Sequence, residues 1–208
     1  QPLKISRHIL RETEGSYTFG LAFSQKIVVA RDMMGTTPLY CGENKSVHAV
    51  ATERKALWKL GISDVRSFPP GNLAVVNESG FAFEPVVGLE PLSPARVTMK
   101  AAAEHLQSLL MQSIRKRVAD VGVVAVAFSG GLDSSVVALL SSIAGVKVHL
   151  ITVGLKGLGE IELAKQAAEA LELLLYPPTY TIADVERPLP QVVWLFVETD
   201  VMQVSVAI

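Results

Sequence analysis

The stretch Ser129-Gly130-Gly131-Leu132-Asp133-Ser134-Ser135 gathers residue types suited to holding an anion. Two consecutive glycines let the main chain turn tightly and approach a ligand with no Cβ in the way. If a helix starts just after them, its first amides and the hydroxyls of Ser129, Ser134 and Ser135 converge as donors on one point. Asp133 would repel a bare phosphate, so a carboxylate among these donors points to a bridging divalent cation. The chemistry expected is the binding of a diphosphate together with its metal. A Walker A loop is excluded because no lysine follows the glycines, and a dinucleotide fingerprint because the Gly-x-Gly-x-x-Gly spacing is missing. The plainer alternative is a strand-to-helix turn in which serine and aspartate only cap the helix.

Such a loop needs a strand before it and a helix after it. Val121 to Phe128 is an uninterrupted apolar run, the pattern of a strand covered on both faces. Helix, strand, helix and short strand are then expected over Leu132 to Ala144, Lys147 to Val153, Glu160 to Leu173 and Leu174 to Tyr176. This alternation implies a parallel sheet with right-handed crossovers, and ligands of such sheets bind at the carboxyl ends of the strands. Upstream, Thr98 to Val118 carries Leu106, Leu109, Leu110, Ile114 and Val118 on one helical face. Pro188 and Pro190 restrict the last helix to about Gln191 onward.

The first part of the chain has a different grammar. Tyr17 to Phe23 and Lys26 to Ala30, separated by Ser24-Gln25, have the composition and spacing of a hairpin. Leu39 to Cys41, Val47 to Ala51, Asn72 to Val76 and Phe81 to Val86 are further strand candidates. One helix is expected, Glu53 to Leu60, with Thr52 as N-cap and Gly61 closing it. Arg31-Asp32, Gly35, Pro38 and Phe68-Pro-Pro-Gly71 read as turn punctuation, and so as architecture. Gly88 to Ala95, with two prolines, has the look of a linker. The expected fold class is an α+β, β-rich domain over residues 1–90, followed by an α/β domain with a parallel sheet over 91–208.

Composition narrows the function classes. The 208 residues are 50% hydrophobic and 19% charged with a mean hydropathy of +0.37, which excludes a disordered chain. Nineteen Lys and Arg against 20 Asp and Glu leave a net charge of -1, so no global field draws in nucleic acid or an anionic membrane. The basic run Ile114-Arg-Lys-Arg117 suits a helix end better than a nucleic-acid patch. A single cysteine, Cys41, makes no internal disulfide, which favours the reducing cytoplasm. The apolar runs are shorter than the ~18 to 20 residues that span a bilayer, and Gln1 to His8 has no signal-peptide core. His8, His48, His105 and His149 are scattered without metal-ligand spacing, and Trp58 and Trp194 are expected to pack at helix contacts.

Ser-Gly-Gly-Leu-Asp-Ser-Ser resembles the PP-loop of the ATP pyrophosphatase superfamily. Arg31-Asp32-Met-Met-Gly35-Thr-Thr-Pro38-Leu39-Tyr40, Ala51-Thr52-Glu53-Arg54-Lys55-Ala56-Leu57 and Phe68-Pro-Pro-Gly71 resemble, in order, the second half of the glutaminase domain of glutamine-hydrolysing asparagine synthetases. Thr152-Val153-Gly154-Leu155 is similar to the second synthetase strand of that family. The resemblance implies an incomplete glutaminase-type, Ntn-like domain joined to an adenine nucleotide alpha hydrolase-like PP-loop domain. It implies ATP and Mg²⁺ as cofactors. Ser129, Gly130, Gly131, Asp133, Ser134 and Ser135 would hold pyrophosphate and metal, with Asp133 catalytic through the metal and not as a base. Backbone groups of Ala127 and Val153 would take the adenine nucleotide, although a core role for Val153 stays open. The implied reaction adenylates aspartate, releases pyrophosphate, and lets ammonia, supplied as such or from glutamine, displace AMP. No nucleic-acid or membrane partner is implied, and a homodimer is left open. A β-lactam synthetase, an amidotransferase for another carboxylate, or a silent nucleotide-binding or scaffold paralogue remain alternatives.

The departures from that family are also informative. Its glutaminase uses an N-terminal cysteine, and this chain begins with Gln1. Cys41 lies in an expected strand, where an inert buried thiol is the favoured state, so glutaminase activity is not expected of this polypeptide alone. Gly157 to Glu162 lacks the Ser-x-Asp that opens the corresponding helix, and neither the Ser-Gly-Glu-Gly-type motif nor the downstream lysine is reached by Ile208. The expectation is the middle of a larger enzyme.

Overall fold

The computed structural model describes residues 1–90, 93–94, 96–156 and 160–196. The chain divides into two compact units, Gln1–Ser93 and Pro94–Ile208.

In the first unit the order is α1 (Pro2–Glu12), β1 (Thr18–Phe23), β2 (Lys26–Arg31), β3 (Tyr40–Glu43), β4 (His48–Ala51), α2 (Arg54–Lys59), β5 (Arg66–Ser67), β6 (Asn72–Asn77) and β7 (Gly80–Pro85). The hairpin forms at the expected place, with Phe23 opposite Lys26 and Ser24 at a left-handed φ of 51°. Two antiparallel sheets result, β1-β2-β6-β7 and β4-β3-β5. Strand alternation decides what each face covers. Val29, Ala74 and Val76 of the first sheet meet Leu39, Cys41 and Phe68, while Val28, Ala30 and Leu73 turn the other way onto Leu10 of α1. On the far side of the second sheet, Gly42 abuts Ile62 just beyond α2. Helix, sheet, sheet and helix thus stack in four layers.

The sequence pattern did not announce α1. Its signals are Pro2 at the first helical turn and Leu3, Ser6 and Leu10 on one face, with a serine where an apolar residue would have completed the stripe. Arg7 on this helix clamps Glu84 of β7 through Nε to Oε1 at 2.7 Å and Nη2 to Oε2 at 2.8 Å, which holds the Glu84 carboxyl below its usual range. Ser6 is fully buried and its hydroxyl has no hydrogen-bond partner among the described residues. Ser6→Ala is therefore expected to stabilise the unit by about 1 kcal/mol, from the relieved hydroxyl and the better helix propensity of alanine. Chemical denaturation checks this, and a loss of stability would show that the hydroxyl is bonded after all. At α2 the N-cap is Glu53 and not Thr52, while the helix does end where expected, with Gly61 N donating to Trp58 O at 2.9 Å. Trp58 itself is exposed, contrary to its expected packing role.

The second unit contains α3 (Met99–Val118), β8 (Val123–Ala127), α4 (Leu132–Ile143), β9 (Lys147–Ile151), β10 (Gly154–Leu155), α5 (Glu160–Ala170), β11 (Leu174–Tyr176), β12 (Thr179–Tyr180), α6 (Ile182–Glu186) and α7 (Leu189–Phe196). β8, β9 and β11 form a parallel sheet in the order β11-β9-β8, and β10 pairs in parallel with β12. Val126, Phe128, Val148 and Leu150 pack against Ala138 of α4 and Ala164 and Ala168 of α5.

Both of those helices lie on one side of the sheet. Two successive crossovers step in the same direction across it, from β8 to β9 to β11, and so place their helices on the same face. This corrects the expectation that β8 is covered on both faces: it is an edge strand, and Val123, Ala125 and Ala127 are exposed. The long helix α3 starts at the expected cap, with Thr98 Oγ1 accepting from Ala101 N at 3.2 Å. Its buried residue is Val118, whereas Leu106 and Leu109 of the expected apolar face are exposed. α7 begins at Leu189, ahead of the expected Gln191, because a proline in the first turn forfeits no intrahelical bond. Trp194 on it is exposed. Among the described residues no helix is long and apolar enough to cross a membrane.

Candidate functional site

Chemistry-bearing residues meet where β8 ends. Phe128 is buried and its amide donates to Ile151 O at 2.8 Å, which carries the chain off the sheet in line with β9. Ser129 is exposed, and Gly130 follows at φ +77°, a left-handed conformation that a side chain disfavours. A Cβ on Gly130 would lie 2.8 Å from Cα and N of Ala164 and from the carbonyl carbon of Leu163. The loop therefore rests directly on the backbone of α5. Gly131 is the N-cap of α4 and carries no side-chain cap, and Ser135 N donates to Gly131 O at 3.1 Å. Helix geometry leaves the amides of Leu132, Asp133 and Ser134 without intrahelical acceptors, at the positive end of the helix dipole.

The serines stand around these amides. Ser129 Oγ and Ser134 Oγ are 3.2 Å apart, Gly131 N donates to Ser129 Oγ at 3.3 Å, and Ser134 Oγ donates to Gly131 O at 3.2 Å. Asp133 is exposed in the same turn and makes no ion pair among the described residues. Ser135 sits half-buried one residue further on. These groups fit a diphosphate and its metal: open amides and hydroxyls for the anion, and one unpaired carboxylate of the kind that shares Mg²⁺ with substrate phosphates. No cluster of three or more metal-ligating side chains exists among the described residues.

Ala127 and Val153 are placed at neighbouring strand ends. Ala127 is the exposed last residue of β8 and lies beside Ile151 in the parallel register. β9 stops at Ile151, two residues before its expected end, and Thr152 is buried with its amide donating to Tyr176 O at 3.2 Å. Val153 is 59% exposed, which removes the core role left open for it. Its exposure follows from its position in the connection to β10, outside the alternation of β9.

In the first unit the Arg31-Asp32 motif is a staple. Arg31 is 8% exposed; its Nε donates to Thr37 O at 2.9 Å, Nη1 to Phe68 O at 2.7 Å and Ser67 Oγ at 3.1 Å, and Nη2 to Gly35 O at 2.5 Å. Asp32 accepts from the amides of Met34 and Gly35 with Oδ1 and of Tyr17 with Oδ2. These bonds join the turn after β2 to the Phe68–Gly71 loop, which is the architectural role expected. Cys41 is buried in β3, and burial pushes its thiol pKa up, so it is not an activated nucleophile. A cavity of about 500 Å³ nearby is lined by Cys41, Glu43, Asp64, Arg66, Phe81 and Phe83. Asp64 pairs with Arg66 there, and Glu43 Oε2 lies 2.8 Å from His48 Nδ1.

Sequence reasoning missed the part played by α5. The detectable signal was the run of small residues Ala164, Ala167 and Ala168, spaced i, i+3 and i+4, which lets a helix backbone approach a sheet closely. The Gly157 to Gly159 part of the altered segment before it lies outside the described residues.

Comparison with known proteins gives two family matches. Residues 105–208 match the asparagine synthase model and residues 3–59 the glutamine amidotransferase domain model. A Methanocaldococcus jannaschii protein assigned to the glutamine-hydrolysing asparagine synthetases is 30% identical over 96% of this chain, and the root asparagine synthetase of Pisum sativum is 31% identical over 76% of it. The chain spans 40% and 28% of the lengths of those proteins. A solved glutamine phosphoribosylpyrophosphate amidotransferase from B. subtilis aligns over 85% of this chain and 35% of its own at 18% identity with a TM-score of 0.40. Half of the residues, including the whole Ser129–Ser135 loop, fall on the asparagine synthase model, and the chain belongs to that family.

Proposed function

We propose that this chain carries the ATP site of a glutamine-hydrolysing asparagine synthetase-like enzyme, an ATP-dependent carbon–nitrogen ligase acting on aspartate with glutamine or ammonia as nitrogen donor. Residues 91–208 would be the synthetase part and residues 1–90 part of a glutaminase-type domain. The observation that carries the proposal is the uncapped start of α4, where open amides, Ser129, Ser134 and the unpaired Asp133 share one turn. Family membership and the 30% identical relative support it.

Mg-ATP, when bound, would supply an activated phosphorus for the aspartate carboxylate and pyrophosphate as leaving group. The chain's own residues would orient and stabilise. The amides of Leu132 to Ser134 and the serine hydroxyls would hold the leaving oxygens. Asp133 would hold the metal against them. Main-chain groups of Ala127 and Val153, at adjacent strand ends, would hold the nucleoside. A nucleotide-binding paralogue without ligase turnover is the second reading, favoured by the Gly157 to Glu162 segment, which lacks the Ser-x-Asp of the family.

Asp133→Asn keeps the shape and removes the charge. Its Mg-ATP affinity by calorimetry is expected to fall by roughly tenfold to a hundredfold, the worth of a charge-assisted contact, with the circular dichroism spectrum unchanged. Unchanged affinity would reject the site. Release of AMP and pyrophosphate in the presence of aspartate and ammonia separates the ligase from the silent paralogue, and ADP release would reject both.

A further inference from the structure

The first two turns of α5 touch both strand ends from which the proposed nucleotide site is built. At one side the backbone of Leu163 and Ala164 backs Gly130, at the 2.8 Å a Cβ there would find. At the other, Ile161 covers Gly154, where an added Cβ would meet Ile161 Cγ1 at 2.7 Å and Cδ1 at 2.9 Å. Gly154 is the residue after Val153, so one rigid helix spaces the Ser129–Ser135 loop from the Val153 peptide. The backbone of α5 comes this close because Ala164, wholly buried against the Phe128 and Val126 core, is small. A larger side chain has no free volume to enter and must lift the helix away from the sheet and from the loop.

We propose that α5 is the positioning element of the site, with Ala164 setting the phosphate loop and Ile161 setting the Val153–Gly154 main chain. The proposal deepens the ATP-site reading and rests on it. Neither residue touches a reacting atom. Their division of labour makes a prediction that general loss of stability does not: the two ends of the nucleotide should respond to different substitutions.

The test is calorimetry on the full chain with two probes, Mg-ATP and Mg-pyrophosphate, with amide hydrogen exchange of Gly130 and Gly131 measured without ligand. Ala164→Val should weaken both probes on the order of tenfold and speed exchange at the two glycines, since misplacement of about an ångström carries a cost of that order or more. Ile161→Ala should weaken Mg-ATP by a similar factor and leave Mg-pyrophosphate within about twofold. Ala168→Val, equally buried one turn on, is the control for overpacking and should leave both affinities within about twofold. If Ala164→Val fails to fold, Ala164→Ser, which adds one atom, takes its place with the same ordering of effects. Wild-type protein that binds neither probe overturns the ATP-site reading and this inference with it. Wild-type binding with Ala164 variants that match it, or Ile161→Ala weakening both probes alike, overturns the inference alone.

Discussion

Gly130→Ala is expected to lower Mg-ATP affinity by roughly a hundredfold, the largest loss of any single methyl group in the second unit. Two costs coincide at this position. The left-handed φ of +77° disfavours any Cβ by about 1 to 2 kcal/mol. The new carbon would also sit 2.8 Å from three backbone atoms of α5, well inside the ~3.5 to 4.0 Å of a normal carbon contact. Backbone atoms have no rotamer by which to yield, so either the loop or the helix must shift. The loop is the softer of the two, being exposed and held by hydroxyl contacts of 3.2 to 3.3 Å, and its shift disperses the amides that define the anion site. Gly131→Ala is the internal control: its φ is -76° and the nearest neighbour of an added Cβ is Ser129 Oγ at 3.3 Å, so a small adjustment suffices. Calorimetry on the two variants should separate them by at least about tenfold, and equal affinities would mean that the left-handed turn is not what shapes the site.

What the sequence disclosed about this site was local. Two glycines, three serines and an aspartate between an apolar run and a helical pattern fix a turn at one place, since the nearest neighbours supply the constraint. The hairpin at Ser24-Gln25 was legible for the same reason. The features that escaped depend on what packs where. α1 was hidden because Ser6 interrupts its apolar stripe at a buried position. The run Val121 to Phe128 promised two covered faces, but apolar side chains record only that a face can be buried, and in this unit α4 and α5 both fall on the Phe128 side. Val153 looked like a strand residue by type, yet β9 ends two positions earlier, where Thr152 turns its amide to Tyr176. The close contact of α5 with Gly130 joins positions 34 apart and leaves no periodic trace beyond a run of alanines.

The first unit should fail most severely at Arg31. Its guanidinium is buried and ties the turn after β2 to the Ser67–Phe68 segment through four acceptors, Gly35 O and Thr37 O in the one and Ser67 Oγ and Phe68 O in the other. Arg31→Met keeps most of the volume and removes every donor, leaving carbonyl oxygens in the interior with no partner. Unsatisfied buried groups cost about 1 to 3 kcal/mol each, part of which water entry returns, so a net loss of about 3 kcal/mol is expected. For a unit of this size that lowers the melting temperature by roughly 12 to 24 °C. Arg31→Lys should recover little, because an ammonium at the end of a single stem cannot present the forked, in-plane donors that reach Thr37 and Gly35 on one side and Phe68 on the other. Asp32→Asn, by contrast, retains an oxygen for the Met34 and Gly35 amides and should cost less than either. Thermal denaturation of the three variants gives the ordering directly. A lysine that restores wild-type stability would show that the charge matters and the fork does not, and a loss below about 1 kcal/mol in Arg31→Met would show that the turn after β2 stands without its staple.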